Sequence, residues 1–159
     1  MLVTSRGLIA LLLCLLIPFT LMARDAGYKI DYDGGSLPDL KPGADLKLYI
    51  EQTNIRLMKG KTGVVTIPSE AITEISYGQD VHRRVGAAIG IALVSFGIGA
   101  LMALTKSKKH YIGITWDDHG NKGGIAFQAD KSDYRGLLAG LEGVSGKKAF
   151  NSDAMTVKN

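Results

Sequence analysis

The sequence predicts a mainly β, α+β domain of about six strands, closed by a C-terminal helix and interrupted by an apolar insert. Three observations lead to this prediction. Within residues 45–129, several short runs alternate apolar and polar residues, which is typical of half-buried strands. Residues 134–141 carry apolar side chains at helical spacing. Between the fourth and fifth of these runs lie 21 consecutive uncharged residues, here called the apolar segment 85–105.

The predicted strands alternate with turn-forming motifs. "KGKTG" is rich in Gly and Lys, and "DDHGNKGG" is rich in Gly and Asp and also contains Asn. Both compositions predict turns between neighbouring strands. In "HYIGITW", alternation places Tyr111, Gly113 and Thr115 on one face of a strand, opposite Ile112 and Ile114 with Trp116. The six predicted strands cover residues 46–52, 53–58, 64–67, 72–78, 110–116 and 125–129.

A single helix is predicted near the C-terminus. Asp130 or Ser132 can cap its first turn. Gly143 or Gly146 can end it. Its apolar residues fall at i, i+3, i+4 and i+7, at Tyr134, Leu137, Leu138 and Leu141. One such stripe is expected to cover one face of a sheet or one open end of a barrel.

The N-terminus has the layout of a secretory signal peptide. Arg6 precedes an apolar run over residues 8–17, and Ala23 offers a small residue for cleavage. An uncleaved anchor helix stays open as an alternative, because Leu21 stands where a small residue is preferred. Cleavage would remove Cys14, the one cysteine, so that no disulfide or thiolate site is expected in the mature chain.

These features divide the chain into four parts. Residues 1–23 are interpreted as the signal peptide and residues 24–44, rich in Gly, Asp and Pro, as an extended lead-in. Residues 45–146 form the predicted domain, which the apolar segment interrupts, and residues 147–159 form a polar tail. The net charge of +4 is too small to predict nucleic-acid binding.

The alternating runs and the last helix resemble a known kind of module. "VTIPSEAITEISYG" is similar to a strand of bacterial pleckstrin-homology-like or GRAM-like modules. "DKSDYRGLLAGLEGVSGKK" is similar to the terminal helix of a group of uncharacterised secreted bacterial proteins with an apolar insert at the same place. The resemblance implies a bent β-sandwich or barrel of meandering strands with a helix at one end. Many such modules bind lipid head groups or proteins, so the resemblance names no ligand.

Three structures are possible for the apolar segment. As one helix its 21 residues would reach about 31 Å, enough to cross a bilayer once. A single crossing would, however, put strands of one sheet on opposite sides of the membrane. A re-entrant or interfacial hairpin, with arms near residues 85–94 and 100–105, avoids this conflict. The third possibility is a helix covered by protein or by a second subunit.

The hairpin prediction assigns roles to particular residues. The residues expected to insert into the membrane are Ile89, Ile91, Leu93, Val94, Phe96, Ile98 and Leu101. Cations on both flanks are expected to contact anionic head groups, namely Arg83, Arg84, Lys106, Lys108 and Lys109. Small residues that let helices approach closely are expected at Gly86, Gly90 and Gly97.

No catalytic constellation, cofactor or metal site is predicted. "MKGKTG" resembles the end of a phosphate-binding loop, but Ile55 stands where its first glycine should be. Asp117, Asp118 and His119 offer three possible metal ligands, yet no second ligand cluster accompanies them, and a solvated turn is the preferred interpretation. His82 and His110 flank the apolar segment and are interpreted as two interfacial histidines rather than a pH-sensitive pair.

The sequence therefore predicts a non-enzymatic, membrane-associated module on the outer face of the inner membrane. Its expected partner is membrane lipid, including the anionic lipid that the basic flanks would contact. The alternatives are a single-pass membrane protein, or a subunit that uses the glycine-rich segment to associate with itself or with another membrane protein.

Overall fold

A computed structural model describes residues 27–37, 39–79, 81–89 and 110–155 of the chain. Two short 3-10 turns lie at Ser69–Ala71 and Ser152–Met155. The helices are α1 (Val81–Ile89) and α2 (Tyr134–Ser145). The strands are β1 (Tyr28–Gly35), β2 (Ala44–Ile50), β3 (Asn54–Lys59), β4 (Thr62–Pro68), β5 (Ile72–Tyr77), β6 (His110–Asp118), β7 (Asn121–Ala129) and β8 (Ala149–Asn151).

The eight strands form one mixed sheet in the order β4-β3-β2-β1-β7-β6-β5-β8. Neighbouring strands are antiparallel, apart from the parallel pair of β5 and β8. The predicted mainly β, α+β class is therefore confirmed. The sheet is not closed into a barrel, because β4 and β8 stand at its two edges.

The main core lies on one face of the sheet, here called the inner face. Cross-strand neighbours on this face are apolar: Ile114 of β6 pairs with Ile75 and Ile125, and Leu48 pairs with Leu57. All five side chains are fully buried. Pairs of branched apolar residues across neighbouring strands stabilise a sheet most effectively when its face is buried.

Helix α2 covers this core. Leu137 and Leu141, one helical turn apart, are fully buried in it, as the spacing predicts. The helix ends at Gly146, whose φ of 68° is left-handed and whose N–H donates to the carbonyl of Glu142 at 2.9 Å. The N-cap residue is Asp133, which makes no side-chain capping bond. The predicted caps Asp130 and Ser132 are therefore wrong.

The turns between strands are tighter than composition predicts. His119 and Gly120 alone connect β6 to β7, with φ values of 53° and 91°. Two consecutive positive φ values are typical of the two-residue hairpin turn whose twist matches that of the strands. "DDHGNKGG" is therefore not a turn throughout, since Gly123 and Gly124 lie in β7.

Two strands lie outside the predicted domain. β1 occupies the segment interpreted as a lead-in, where it pairs with both β2 and β7 near the middle of the sheet. β8 occupies the segment interpreted as a polar tail and extends the sheet beside β5. The domain therefore contains eight strands rather than six, because a stretch rich in Asp and Gly and a stretch of only three residues both find partners that are distant in sequence.

Candidate functional site

Helix α1 lies on the opposite face of the sheet, here called the outer face. Val81 and Val85 are fully buried there against Tyr111 and Ala126, and Ile89 packs at the margin of this second cluster. The three α1 residues are four apart, so they share one side of the helix. The first residues of the apolar segment, 85–89, are thus packed against the sheet as part of α1.

Two strand glycines let α1 approach the sheet closely. A Cβ atom at Gly113 would lie 2.6 Å from a methyl carbon of Val81 and 2.7 Å from one of Val85. At Gly124 it would lie 2.9 Å from Val85 and 3.1 Å from Ile89. These distances are shorter than van der Waals contact between carbon atoms. The seat of α1 therefore depends on the absence of side chains at both positions.

The prediction for β6 explains half of this arrangement. Tyr111, Gly113 and Thr115 do face away from Ile112 and Ile114, as alternation indicates. The outer face between Tyr111 and Thr115 is covered by α1, whereas the inner face belongs to the main core. Sequence analysis missed the role of Gly124, which was taken as a turn residue by its composition.

Arg84 points from α1 to its neighbours on β5 and β8. Its guanidinium makes two hydrogen bonds to the carboxylate of Glu74, at 2.9 and 2.8 Å. Its central carbon also lies 4.4 Å from the centre of the Phe150 ring. The hydrogen bond with Glu74 raises the pKa of Arg84 above its ordinary value. Arg84 thus forms an ion pair within the domain, and the head-group contact assigned to it stays a prediction.

The C-terminal residues hold the chain where it leaves β5. The Ser152 hydroxyl donates to the carbonyl of Tyr77 at 2.8 Å, and a carboxylate oxygen of Asp153 accepts from the Gln79 N–H at 2.6 Å. Gly78, with a φ of 121°, lies directly beneath these two side chains. Residues 149–153 therefore anchor the start of α1, a role that the interpretation as a polar tail did not include.

A buried acid accompanies the second cluster. Asp33 is the extra residue of a bulge between β1 and β7, and it is 3% exposed. Bulges commonly re-aim a side chain in this way. Desolvation by burial, and to a smaller extent the negative charge of Asp33, raise the pKa of Tyr111 to about 12. Tyr111 is therefore neutral over the physiological range.

The apolar segment leaves and rejoins the domain at different points. Ile89 lies beside Gly124, which pairs with Thr115 of β6, while the chain returns at His110, the first residue of that strand. Five strand residues separate the two levels, or about 17 Å. Both points belong to one sheet, since β6 pairs with β5 and β7.

An aromatic cluster marks the point of return. The His110 ring lies 4.5 Å from that of Tyr134 in α2, and Tyr134 is 6.4 Å from Tyr77 in an edge-on arrangement. All three side chains are half-buried. Desolvation raises the pKa of Tyr134 above its ordinary value. The side chain of His82 falls outside the described residues, so the pairing of the two histidines stays a hypothesis.

The structure reaches only some of the residues assigned to the membrane. Ile89 is half-buried against the sheet and Gly86 is buried in α1. The Arg83 backbone belongs to α1, but its side chain is not described. The remaining assigned residues lie outside the described part of the chain: Gly90, Ile91, Leu93, Val94, Phe96, Gly97, Ile98, Leu101, Lys106, Lys108 and Lys109.

The "DDHGN" turn has a structural explanation. A carboxylate oxygen of Asp117 accepts from the Gly120 N–H at 2.8 Å, and Asp118 bonds the His119 ring at 2.7 Å. The bond to Asp118 raises the pKa of His119. Within residues 27–37, 39–79, 81–89 and 110–155, no group of three or more His, Cys, Asp or Glu side chains is placed to hold a metal.

No helix among the described residues is both long and apolar enough to cross a membrane. The chain matches no family model and no curated protein.

Proposed function

We propose that the protein is a non-enzymatic, membrane-associated module whose apolar segment enters the membrane surface from one side. The observation that carries this proposal is the pairing of strands across the segment. β5 precedes it and β6 follows it, yet Ile75 pairs with Ile114 in one antiparallel ladder. A segment that crossed the membrane once would separate these two strands, and each would expose an unpaired edge.

The length available for insertion favours a shallow position. Residues 85–89 belong to α1, in which Val85 is fully buried, so the uncharged residues beyond α1 are 90–105. Sixteen residues would reach about 24 Å as one helix, or about 12 Å as each of two arms. The hydrocarbon layer is about 30 Å thick. Both values favour insertion into one leaflet rather than a span.

Basic residues near the segment would add attraction to anionic lipid. Arg83, Lys106, Lys108 and Lys109 flank residues 90–105 in the sequence. Each cation near an anionic surface contributes about 1 kcal/mol. Arg84 is left out of this set, because it is already paired with Glu74.

The pleckstrin-homology-like character of the fold is part of the proposal. Strands β1 to β4 follow one another across half of the sheet, β5 to β7 do so across the other half, and β1 meets β7 between them. Helix α2 then covers the inner face. Meandering strands and a terminal helix are two of the features that the resemblance implies, and they support this part of the proposal.

The location is proposed from the N-terminal sequence. Residues 1–23 would export the chain and be removed after Ala23, which leaves the domain on the outer face of the inner membrane. The apolar segment would then hold it there.

Cysteine labelling tests the one-sided topology. Single cysteines at Thr53 and Asn121, both exposed, would be placed in a Cys14→Ser background and treated with a membrane-impermeant thiol reagent in cells. We expect both positions to react from outside to a similar extent. Reaction at Thr53 alone would mean that the segment crosses the membrane, and the proposal would fall.

Vesicle flotation tests the electrostatic part. Reversing Arg83, Lys106, Lys108 and Lys109 to Glu should weaken binding to anionic vesicles at least tenfold, or about 1.4 kcal/mol. A matched control reverses four exposed cations elsewhere, at Lys41, Lys59, Lys61 and Lys122. Equal losses in the two variants would show a dependence on net charge alone and would refute a contact at these flanks.

A further inference from the structure

The chain that follows α2 passes around the edge of the sheet from the inner face to the outer face. α2 lies on the inner face and ends at Gly146. β8 then pairs with β5 at the edge of the sheet, and its Phe150 ring lies against Arg84 of α1 on the outer face. Residues 149–153, here called the strap, therefore connect the helices of the two faces.

The strap is fastened to α2 at its first residue. A carboxylate oxygen of Glu142, in the last turn of α2, accepts from the Ala149 N–H at 2.7 Å. The other oxygen lies 3.9 Å from the ammonium of Lys148, but that side chain is 92% exposed, and such a surface pair contributes little. The hydrogen bond to Ala149 thus places the strap beside β5.

Two hydrogen bonds fasten the far end of the strap to the residues that lead into α1. The Ser152 hydroxyl donates to the Tyr77 carbonyl, and an Asp153 carboxylate oxygen accepts from the Gln79 N–H. Ser152 is 3% exposed, so its bond is shielded from water. A Cβ atom at Gly78 would lie 2.5 Å from the Ser152 hydroxyl oxygen and 2.6 Å from the Asp153 carboxylate. The strap thus lies against the backbone where the chain turns from β5 towards α1.

A side-chain contact joins the strap to α1 itself. The Arg84 guanidinium is held by Glu74 through two hydrogen bonds and stands 4.4 Å from the centre of the Phe150 ring. A guanidinium can stack on an aromatic ring while it binds a carboxylate in its own plane. Phe150 is the partner of Ser76 in the ladder of β5 and β8. Movement of β8 away from β5 would therefore take the ring away from Arg84.

The strap and α1 both bury little apolar surface. β8 has three residues, all half-buried, at the edge of the sheet. α1 buries Val81 and Val85 and part of Ile89 against the sheet, and its Ala87 and Ala88 are exposed. Short elements with few buried side chains open locally at a lower free energy than the core.

We propose that the strap is a latch for α1: the two open together as one unit, and α1 stays on the sheet while β8 is paired with β5. The latch stands on the contacts above, whereas its consequence for the membrane rests on the attachment proposed above. With α1 on the sheet, the uncharged residues beyond it are 90–105. Release of α1 would add residues 85–89 and lengthen the reach of one helix from about 24 Å to about 31 Å. Opening of the latch would therefore deepen insertion.

Hydrogen exchange of the full chain in detergent tests the latch without a membrane. Phe150→Leu removes the ring beside Arg84 and should speed exchange of residues 81–89 by about tenfold or more, although it changes no residue of α1. Arg84→Lys keeps the charge but loses the planar contact, so it should speed exchange of residues 149–153 to a similar extent. Exchange in β6 and β7 should change little.

The chain offers a matched control for these variants. At the hairpin of β2 and β3, Arg56 pairs with Glu51 at 2.8 Å and stands 5.0 Å from the centre of the Tyr49 ring. Arg56→Lys removes the same kind of contact in the other half of the sheet, and it should leave exchange in α1 and the strap unchanged. Unchanged exchange of α1 in Phe150→Leu, or equal acceleration throughout the sheet, would overturn the proposal.

A reversible cross-link tests the opposite direction. Tyr77 and Asn151 are partners in the parallel ladder, and neighbouring strands lie about 4.8 Å apart, within the range of a disulfide. Tyr77→Cys with Asn151→Cys, in a Cys14→Ser background, would hold β8 on β5 when oxidised. Exchange of residues 81–89 should then be slower by about tenfold or more than in the reduced form. The reduced form controls for the loss of the Tyr77 ring, and equal exchange in the two forms would overturn the latch.

Vesicle flotation of the oxidised and reduced forms tests the consequence for the membrane. The oxidised form should bind more weakly, by about threefold or more, because residues 85–89 stay on the sheet. Equal flotation of the two forms would overturn the link between the latch and insertion. If neither form floats, the membrane attachment fails, while coupled exchange of α1 and the strap would still support the latch.

Discussion

The two faces of the sheet are packed by different means. The inner face is filled by large branched side chains, such as Ile75, Ile114 and Leu137, which interlock beneath α2. On the outer face, α1 can approach the sheet closely because Gly113 and Gly124 have no side chains and leave room for valine methyl groups. The inner face stabilises the fold through its buried apolar area. The outer face fixes the position of α1 through the space that the two glycines leave.

Because of this difference, substitutions on the two faces should have different effects: on the inner face they should change stability, and on the outer face they should change the position of α1. The inner core can tolerate alternative apolar residues of similar volume. The packing of α1 leaves no space for a side chain at Gly113 or Gly124, and it sets where the apolar segment leaves the sheet. The proposed contact of the apolar segment with the membrane therefore depends on the less apolar side of the sheet.

The largest expected effect is on the inner face. Leu137→Ala removes a fully buried side chain from the main core and should lower the free energy of unfolding by about 2–5 kcal/mol. Denaturant unfolding followed by Trp116 fluorescence would measure it. Leu138→Ala, at a half-buried position of the same helix, serves as the control and should cost clearly less. Equal costs would contradict the assigned orientation of α2.

The next effect concerns Tyr111 on the outer face. Its pKa is raised to about 12, mainly by burial, so between pH 10 and 12 the unfolded chain loses this proton while the folded chain keeps it. The free energy of unfolding should therefore fall as pH rises, by about 2–3 kcal/mol over that window. Tyr111→Phe should make the fall shallower.

Some dependence on pH should persist in Tyr111→Phe, because desolvation also raises the pKa of Tyr32 and Tyr134. Unfolding measured at several pH values from 9 to 12 would separate these contributions. An identical slope in the two proteins would mean that Tyr111 is not buried as described.

The third substitution, Gly113→Ala, should change stability least and the position of α1 most. Gly113→Ala places a methyl group within 2.6–2.8 Å of Val81, Val85 and Ser76 and should cost about 1–3 kcal/mol. The strain should be released by movement of α1, seen as faster hydrogen exchange in residues 81–89 than in β6. Gly63→Ala is the matched strand control, since its nearest neighbour would lie at 3.8 Å. Unchanged exchange in α1 would show that Gly113 does not seat the helix.

Much of the fold could be predicted from local pattern. Period-two alternation identifies the strands of residues 45–129, and the i, i+3, i+4 spacing identifies α2 with Leu137 and Leu141 as its buried residues. These patterns are visible because each element is half-buried, which forces its apolar residues onto one side. The last turn of α2 was likewise indicated by Gly146, since few other residues adopt its left-handed conformation.

The elements that were missed have no such local pattern. β1 reads "YKIDYDGG" and β8 reads "AFN"; one is rich in Asp and Gly and the other is three residues long. Each becomes a strand because a neighbouring strand far away in sequence offers its unpaired backbone groups. The pairing of β1 with β7 joins residues about a hundred positions apart, and composition carries no sign of it.

The site shows the same division. By itself the sequence determined that 21 uncharged residues interrupt a β-rich domain with cations on both flanks, because charge and hydropathy are properties of the residues alone. Only the tertiary structure decided that Arg84 is paired with Glu74, that Val85 and Gly86 are buried in the domain, and that β8 pairs with β5. These facts depend on register and on close approach between distant parts of the chain, which no local pattern encodes.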